Sequence, residues 1–280
     1  IVIDRAIHLV GVGGPVLDGE DKHEILTLTG KNIVIRGIHF ANAGYSSMND
    51  FAAIKIIDAT NILIEGNVIS NASFAIHIAN STYSHIRNNT INGPNKSEHS
   101  SGNGIHLWKC ESMTIEGNSI RGHRDGIYLE FVSKSTIQKN RSEQNIRYGL
   151  HFMFSNNDAY ISNVFKNNGA GVAVMFSNHV KMIHNYFEEN WGDGAYGLLL
   201  KEISDSYIET NHFLKNTAGI FMEGASRIQV EKNVFEANGW AMKIQASCME
   251  VTVTKNNFKS NTFDVGTNGN LVLNTFNNNY

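Results

Sequence analysis

Apolar and polar residues alternate along this chain in two short phrases that recur from end to end. The first phrase is an apolar residue, two other residues, Asn, one further residue and a second apolar residue, as in residues 64–69 around Asn67. The second is a small residue followed by apolar residues at every other position, as in residues 126–130. Alternation with a period of two is typical of a half-buried β-strand, so both phrases predict strands.

The Asn of the first phrase recurs at intervals of 22 to 29 residues. The two longest intervals indicate insertions at residues 93–102 and 190–196. A repeat of about 22 residues with two strand phrases has no room for a helix and favours a solenoid. We therefore predict an all-β, right-handed parallel β-helix of about ten coils, forming a single domain over residues 1–280. The repeated residues are Asn67, Asn89, Asn118, Asn140, Asn163, Asn185, Asn211, Asn233 and Asn256.

In such a solenoid each coil lies about 4.8 Å above the last, so equivalent residues stack in columns. The Asn residues are expected to form a ladder of side-chain amides, each Asn adopting the left-handed backbone conformation of a tight bend. Paired Ile, Val and Phe are expected to form apolar ladders inside the tube.

Composition sets limits on function. Hydrophobic residues make up 41% of the chain, charged residues 18%, and the formal net charge is −3. This excludes a basic surface for nucleic acid. Cys110 and Cys248 fall in distant repeats, which predicts two buried free thiols rather than a disulfide. No apolar run reaches about 18 residues, so no transmembrane helix is predicted.

Two columns on the outward side of the second strand are rich in His, aromatic and Met residues. Such residues either pack beneath a loop or partner or bind a soft metal ion. The histidine column is Lys55, His77, His106, Tyr128, His151, Ala173, Leu199, Phe221 and Lys243. The methionine column is Ile57, Ala79, Trp108, Glu130, Met153, Met175, Lys201, Glu223 and Gln245.

The metal interpretation centres on His151 and Met153, which are two residues apart on one strand, and on Met175 one coil above. Imidazole and thioether ligands suit Cu(I) better than Zn²⁺ or Ca²⁺. His106 and His77 lie in coils below and predict a series of weaker sites. We therefore predict His151, Met153, Met175, His106 and His77 as copper ligands.

A carbohydrate-active β-helix protein is the alternative, because a groove along such a solenoid suits a linear sugar chain. Glycoside hydrolysis needs two convergent carboxylates. Asp125 and Glu130 occupy different phases of the coil, and no acidic cluster for a Ca²⁺-dependent lyase is evident. The polar corner of Arg121, His123, Arg124 and Asp125 is interpreted as a hydrogen-bonded bend. The chain is therefore predicted not to be an enzyme, with a lyase, epimerase or hydrolase as the competing hypothesis.

Three stretches together resemble the NosD family. They are residues 125–131 (DGIYLEF), 147–157 (RYGLHFMFSNN) and 170–177 (AGVAVMFS), and residues 2–5, 11–14 and 16–19 are also similar. The central stretch from Arg147 is the most specific part. Phe152 and Phe154 stand where the family often has Tyr, and residues 198–201 stand where related proteins tend to have Met.

The resemblance implies a periplasmic accessory protein that sits on an ABC transporter made of a permease and an ATPase. It also implies that a copper chaperone delivers Cu(I) to the protein, for assembly of the copper–sulfide site of nitrous-oxide reductase. His151, Met153 and Met175 match the family's His and Met positions. Arg147 and Tyr148 match its Arg-Tyr pair, whose implied role is structural or in docking.

Overall fold

Parallel strands from successive coils form three sheets that run the length of the chain. The computed structural model describes residues 1–46, 50–94, 97–98 and 101–280. Over these residues, sheets 1 and 2 contain twelve strands each and sheet 3 contains eleven. The strands of sheet 1 are Val2–Ile3, Leu26–Leu28, Ala52–Ile57, Phe74–Ala79, Ile105–Trp108, Asp125–Glu130, Tyr148–Met153, Ala170–Met175, Tyr196–Lys201, Ala218–Glu223, Trp240–Ile244 and Phe263–Thr267. The strands of sheet 2 are His8–Val10, Lys31–Arg36, Thr60–Glu65, His85–Arg87, Thr114–Glu116, Thr136–Gln138, Ala159–Ile161, Lys181–Ile183, Ser204–Glu209, Ser226–Glu231, Thr252–Thr254 and Thr275–Asn277. The strands of sheet 3 are Val16–Asp18, His39–Ala41, Val68–Ser70, Thr90–Asn92, Ser119–Arg121, Arg141–Glu143, Val164–Lys166, Tyr186–Glu188, His212–Leu214, Val234–Glu236 and Asn257–Lys259.

This arrangement confirms the parallel β-helix. Each strand pairs in parallel with its equivalent one coil away, for example Ile105 with Ile127. The twelve strands of sheet 1 correspond to twelve coils, two more than the estimate of ten. The difference arises at the start of the chain, where Val2–Ile3 and Leu26–Leu28 already pair in register with the later coils.

Apolar ladders fill the tube, as predicted. Ile54, Leu107 and Leu150 are among the residues with no exposed surface. Five phenylalanines stack in one column with ring centroids 4.6 to 5.6 Å apart. Each stacked pair adds about 0.5–1.5 kcal/mol beyond the burial of its area. The column is Phe165, Phe187, Phe213, Phe235 and Phe258.

The predicted Asn ladder is present and buried. Asn163 shows the pattern, because its Oδ1 accepts hydrogen bonds from the backbone N and from Nδ2 of Asn140, at 2.9 and 3.0 Å. Its own Nδ2 donates to Ile137 O and to Asn185 Oδ1, both at 3.0 Å. Each ladder Asn thereby provides hydrogen-bond partners for polar groups of the preceding coil. These groups lie at a buried bend, where water does not supply a partner.

The prediction that these Asn residues adopt the left-handed conformation is wrong. That conformation belongs to the residue immediately before each ladder Asn, such as Gly66 before Asn67 and Lys139 before Asn140. The role of the Asn is therefore to accept and donate hydrogen bonds through its side-chain amide, and not to adopt positive φ. The residues with positive φ at these bends are Gly66, Asn88, Gly117, Lys139, Ser162, His184, Thr210, Lys232 and Lys255.

A second Asn ladder lies at the bend between sheet 3 and sheet 1 and was not anticipated from the sequence. Asn168 accepts hydrogen bonds from Asn145 N and Asn145 Nδ2, at 3.0 and 2.9 Å. At its lower end the backbone N–H of the buried His123 donates to Asn145 Oδ1. The ladder continues through Asn190, Asn216, Asn238 and Asn261.

The remaining sequence predictions concern the insertions and cysteines. Residues 191–195 lie outside the strands, as expected for an insertion. The other predicted insertion, 93–102, falls partly on residues 95–96 and 99–100, which lie outside the described residues. Cys110 and Cys248 are free and buried, as predicted. Within the described ranges, no helix is long and apolar enough to span a membrane.

Candidate functional site

The outward face of sheet 1 carries the candidate site, and its register places the two columns as the sequence spacing predicted. His77 pairs with His106, His106 with Tyr128, and Tyr128 with His151. Met153 pairs with Met175 on the next coil. His151 and Met153 alternate with the core residues Leu150 and Phe152, so both side chains face away from the tube interior.

The histidine column is packed rather than solvated. Its rings are in contact along the column, with centroid distances of 4.9 Å for His77–His106 and 4.8 Å for His106–Tyr128, both tilted, and 4.7 Å for the stacked pair Tyr128–His151. His151 is also bounded by the Tyr148 ring at 4.8 Å. As a result His151 is only 5% exposed although it faces outward. The rings cover one another, whereas the packing alternative considered for this column had a loop or a partner covering the face.

Packing alone leaves the polar atoms of these rings unexplained. Both ring nitrogens of His106 and both of His151 are buried and have no hydrogen-bond partner in the described part of the chain. Native proteins rarely leave buried polar atoms unpartnered, and an ion or water is the usual explanation where they do. Burial, reinforced by His77 and Arg124, lowers the pKa of His106 to about 3. Its imidazole is therefore neutral, the form that coordinates metals.

Met153 and Met175 are half-buried on neighbouring coils, with Glu130 below them and Lys201 above in the same column. Beside them lies a phenylalanine ladder on the surface, formed by Phe131, Phe154 and Phe176. Its rings stack at 5.2 Å and remain 40 to 47% exposed.

The phenylalanine ladder is unusual for its backbone conformation. All three residues have positive φ, between 51° and 54°. A bulky residue in this conformation is an outlier, because the left-handed region brings Cβ close to the following carbonyl. Other coils place Asn80, Lys109 or Glu202 at the same bend. Within the described ranges, Phe thus occurs at this bend only in the coils of Glu130, Met153 and Met175.

Asp125 joins this site, although the sequence placed it in a hydrogen-bonded corner. Its Oδ2 lies 3.6 Å from His151 Nδ1, and its Oδ1 accepts a hydrogen bond from Tyr148 N at 3.3 Å. The corner interpretation holds for Arg121, whose Nε donates to Asn92 Oδ1, and for Arg124, whose guanidinium donates to Asn103 Oδ1.

A break in strand alternation explains why Asp125 was missed. Strict alternation would put Asp125 and Tyr128, three residues apart, on opposite faces. In the structure Gly126 and Ile127 both face inward. A Cβ on Gly126 would lie 2.0 Å from Ser142 Oγ and 2.7 Å from Gly149 O, so no larger residue fits there. The sequence did contain a signal for this break. Each strand phrase begins with a small residue, here Gly126, and that residue marks the point where two successive residues face inward.

The donor set of this face fits a soft metal ion better than a hard one. In the described ranges no three His, Cys, Asp or Glu side chains are close enough to hold a metal ion together. A metal site here therefore needs thioether ligands, which Met153 and Met175 supply beside His151. The ligand assignment for His77, His106, His151, Met153 and Met175 stays a prediction.

Comparison with known proteins gives two sequence matches. The family model described as "Periplasmic copper-binding protein (NosD)" matches residues 91–280. The probable ABC transporter binding protein NosD of Pseudomonas aeruginosa is 32% identical over 127 residues, which are 45% of this chain and 30% of that protein. The matched segment thus spans about a third of the relative's length.

Solved structures share the fold at low sequence identity. The surface adhesin PfbA of Streptococcus pneumoniae has a TM-score of 0.74 at 13% identity, covering 93% of this chain and 80% of the adhesin. The periplasmic alginate epimerase AlgG has a TM-score of 0.68 at 13% identity, covering 94% of this chain and 74% of the epimerase. An adhesin and an epimerase on one architecture show that the fold does not determine the activity.

Proposed function

Because the chain belongs to the NosD family of periplasmic copper-binding proteins, as the match over residues 91–280 shows, we propose that it binds and relays copper as Cu(I). The copper, or a copper–sulfur precursor, is destined for the copper site of nitrous-oxide reductase. The protein acts in the periplasm as a non-enzymatic accessory of an ABC transporter with a permease and an ATPase. The P. aeruginosa relative, named as an ABC transporter binding protein, supports the transporter association.

One observation carries the proposal: a set of soft donor side chains lies on one outward face. His151 and Met153 share a strand, and Met175 is the register partner of Met153. Two thioethers and an imidazole match the preference of Cu(I) for soft ligands. Hard cations such as Ca²⁺ and Mg²⁺ need several oxygen ligands, which these three residues do not provide.

The histidine column supports a relay rather than a single closed site. Its rings follow one another at 4.7 to 4.9 Å, with Tyr128 between His106 and His151. His106 stays neutral at any periplasmic pH because its pKa is about 3, so protons do not compete with copper for its lone pair. Copper would pass between the neighbouring imidazoles of His77 and His106, whereas the ring of Tyr128 separates His106 from His151 by one coil.

Delivery requires that a copper chaperone and the reductase approach the same face. The phenylalanine ladder offers exposed apolar surface directly beside Met153 and Met175. Phe, like other aromatic residues, is enriched at protein–protein interfaces. We assign the docking of chaperone and client to this ladder.

Anaerobic titration with Cu(I), in competition with a chromophoric Cu(I) chelator, tests the proposal. We expect the wild-type protein to withdraw Cu(I) from the chelator. The triple variant His151→Ala, Met153→Ala, Met175→Ala should lose this binding. A matched control is Met249→Ala, which removes an exposed thioether elsewhere on the solenoid and should bind as wild type does.

Equal Cu(I) affinity of wild type and triple variant would overturn the assignment of these ligands. A complete lack of Cu(I) binding by the wild type, with tight binding of the permease or reductase, would favour a purely structural adaptor. Incubation with uronate-containing polymers tests the carbohydrate-active alternative. Unsaturated or epimerised products would contradict the proposal.

A further inference from the structure

Asp125 and His151 bring two unpartnered buried atoms together. Asp125 Oδ2 lies 3.6 Å from His151 Nδ1. Neither atom makes a hydrogen bond elsewhere in the part of the chain that the structure describes. The side chains of Asp125 and His151 are 1% and 7% exposed, so bulk solvent does not reach either atom. The Arg124 guanidinium also lies near this oxygen, with Nε at 3.7 Å, and the charge of Arg147 interacts with the Asp125 carboxylate as well.

Both members of the pair are held in place. The carboxylate of Asp125 is anchored at its other oxygen by the N–H of Tyr148, at 3.3 Å. The ring of His151 lies between the rings of Tyr128 and Tyr148, at 4.7 and 4.8 Å. Nδ1 can therefore reach the normal hydrogen-bond range of 2.7–3.2 Å by a small shift, without a change of rotamer on either side.

We propose that Asp125 is the positioning residue of His151: it accepts the Nδ1 proton and thereby leaves the Nε2 lone pair free for a metal ion. A neutral imidazole carries one ring proton. With that proton on Nδ1, Nε2 coordinates Cu(I) and no proton has to be released. Metal-binding histidines almost always donate their other ring N–H to such a partner, which fixes the tautomer and raises the basicity of the ligand. This inference rests on the proposed function for the identity of the metal.

His106 lacks such a partner among the described residues and serves as the internal comparison. His106 is stacked between His77 and Tyr128, and neither of its ring nitrogens has a hydrogen-bond partner among the described residues. No carboxylate is recorded beside it within ion-pair distance in the described ranges. The Asp125 contact therefore distinguishes His151 as the anchoring ligand of the column and leaves His106 as a weaker, transient one.

Long-range ¹H–¹⁵N NMR of the histidine rings in the copper-free protein tests the contact directly. The His151 signal is assigned by its loss in His151→Gln. We expect the Nδ1–H tautomer in the wild type. In Asp125→Asn the introduced amide keeps its oxygen on the Tyr148 N–H and turns its NH₂ towards Nδ1, which favours the Nε2–H tautomer instead. An Nε2–H tautomer in the wild type would overturn the proposal, even if Asp125→Asn failed to fold.

Asp158→Asn is the matched control. Asp158 is also buried and also accepts a backbone N–H, from Ser135 at 2.7 Å, but it lies at a bend before sheet 2. This variant should leave the His151 tautomer unchanged. An equal change of tautomer in both variants would show a general effect of the substitution and contradict a specific role for Asp125.

Anaerobic Cu(I) titration of the same variants gives the second readout. Asp125→Asn should lower Cu(I) affinity about 10- to 100-fold, the usual effect of removing such a partner, and Asp158→Asn should not. Unchanged affinity in Asp125→Asn would overturn the positioning role. If the wild type bound no Cu(I), the proposed function would fail, while the tautomer measurement would still decide whether Asp125 orients His151.

Discussion

Replacing Asn163 by Ala tests whether the buried Asn ladder stabilises the solenoid. The side chain of Asn163 makes four hydrogen bonds, two as acceptor from Asn140 and two as donor, to Ile137 O and Asn185 Oδ1. Ala removes all four and leaves the Asn140 backbone N–H and the Ile137 carbonyl buried without these partners. Each buried unsatisfied group costs about 1–3 kcal/mol, so we expect a loss of about 2–6 kcal/mol in the free energy of unfolding.

Urea unfolding followed by far-UV circular dichroism measures this loss. Asn257→Ala is the control, because Asn257 is an exposed strand residue and its truncation should cost less than about 0.5 kcal/mol. A third variant, Asn163→Asp, keeps an acceptor for Asn140 but sets a carboxylate against the Ile137 and Asn185 oxygens. It should be destabilised at neutral pH and partly recover in acid, when the carboxyl group becomes a donor.

The reasoning would be refuted if Asn163→Ala cost no more than Asn257→Ala. The ladder amides would then shape the bend without stabilising the folded state. The apolar columns would account for the stability of the solenoid.

Three further predictions follow from buried groups. Burial raises the pKa of Asp158 to about 8 from 3.8 despite the opposing hydrogen bond from Ser135, so the folded state holds a proton that the unfolded state releases. Stability should therefore fall by roughly 1.4 kcal/mol per pH unit from about pH 4 to about pH 8, and the pH dependence of urea unfolding should lose this slope in Asp158→Asn. Tyr160 buries its hydroxyl with no hydrogen-bond partner among the described residues, so Tyr160→Phe should raise the thermal midpoint, whereas a lowered midpoint would reveal a partner. A Cβ on Gly149 would lie 2.7 Å from Gly171 O, so Gly149→Ala should lower the free energy of unfolding, measured with urea, by about 1–3 kcal/mol. Gly66→Asn is the control and should be tolerated, because Gly66 lies in open space at φ +61°.

The fold was predictable because stacking converts sequence periodicity directly into neighbouring positions. Residues 22 apart, such as His106 and Tyr128, are register partners, and the spacing alone identified the columns. What the spacing could not supply was the backbone conformation inside each bend. The residue before the ladder Asn varies among Gly, Asn, Lys, Ser, His and Thr, whereas the Asn recurs and itself tolerates positive φ, so the sequence pointed to the Asn rather than to its neighbour.

The candidate site was predictable only in part, for a related reason. Periodicity places His151, Met153 and Met175 on one face, since they follow the alternation of the strands. Asp125 reaches His151 because Gly126 and Ile127 both turn inward, and this local departure from alternation depends on a close approach to Gly149 in the next coil. Burial of the histidine rings likewise depends on contacts between coils.

X-ray absorption at the copper edge of the Cu(I)-loaded protein tests the central claim most directly, because it reports the atoms bound to the metal. We predict scattering from thioether sulfur and imidazole nitrogen in the wild type, with the sulfur contribution lost in Met153→Ala, Met175→Ala. Coordination by nitrogen and oxygen alone, or a sulfur contribution unchanged in that variant, would contradict a copper site on the outward face of sheet 1.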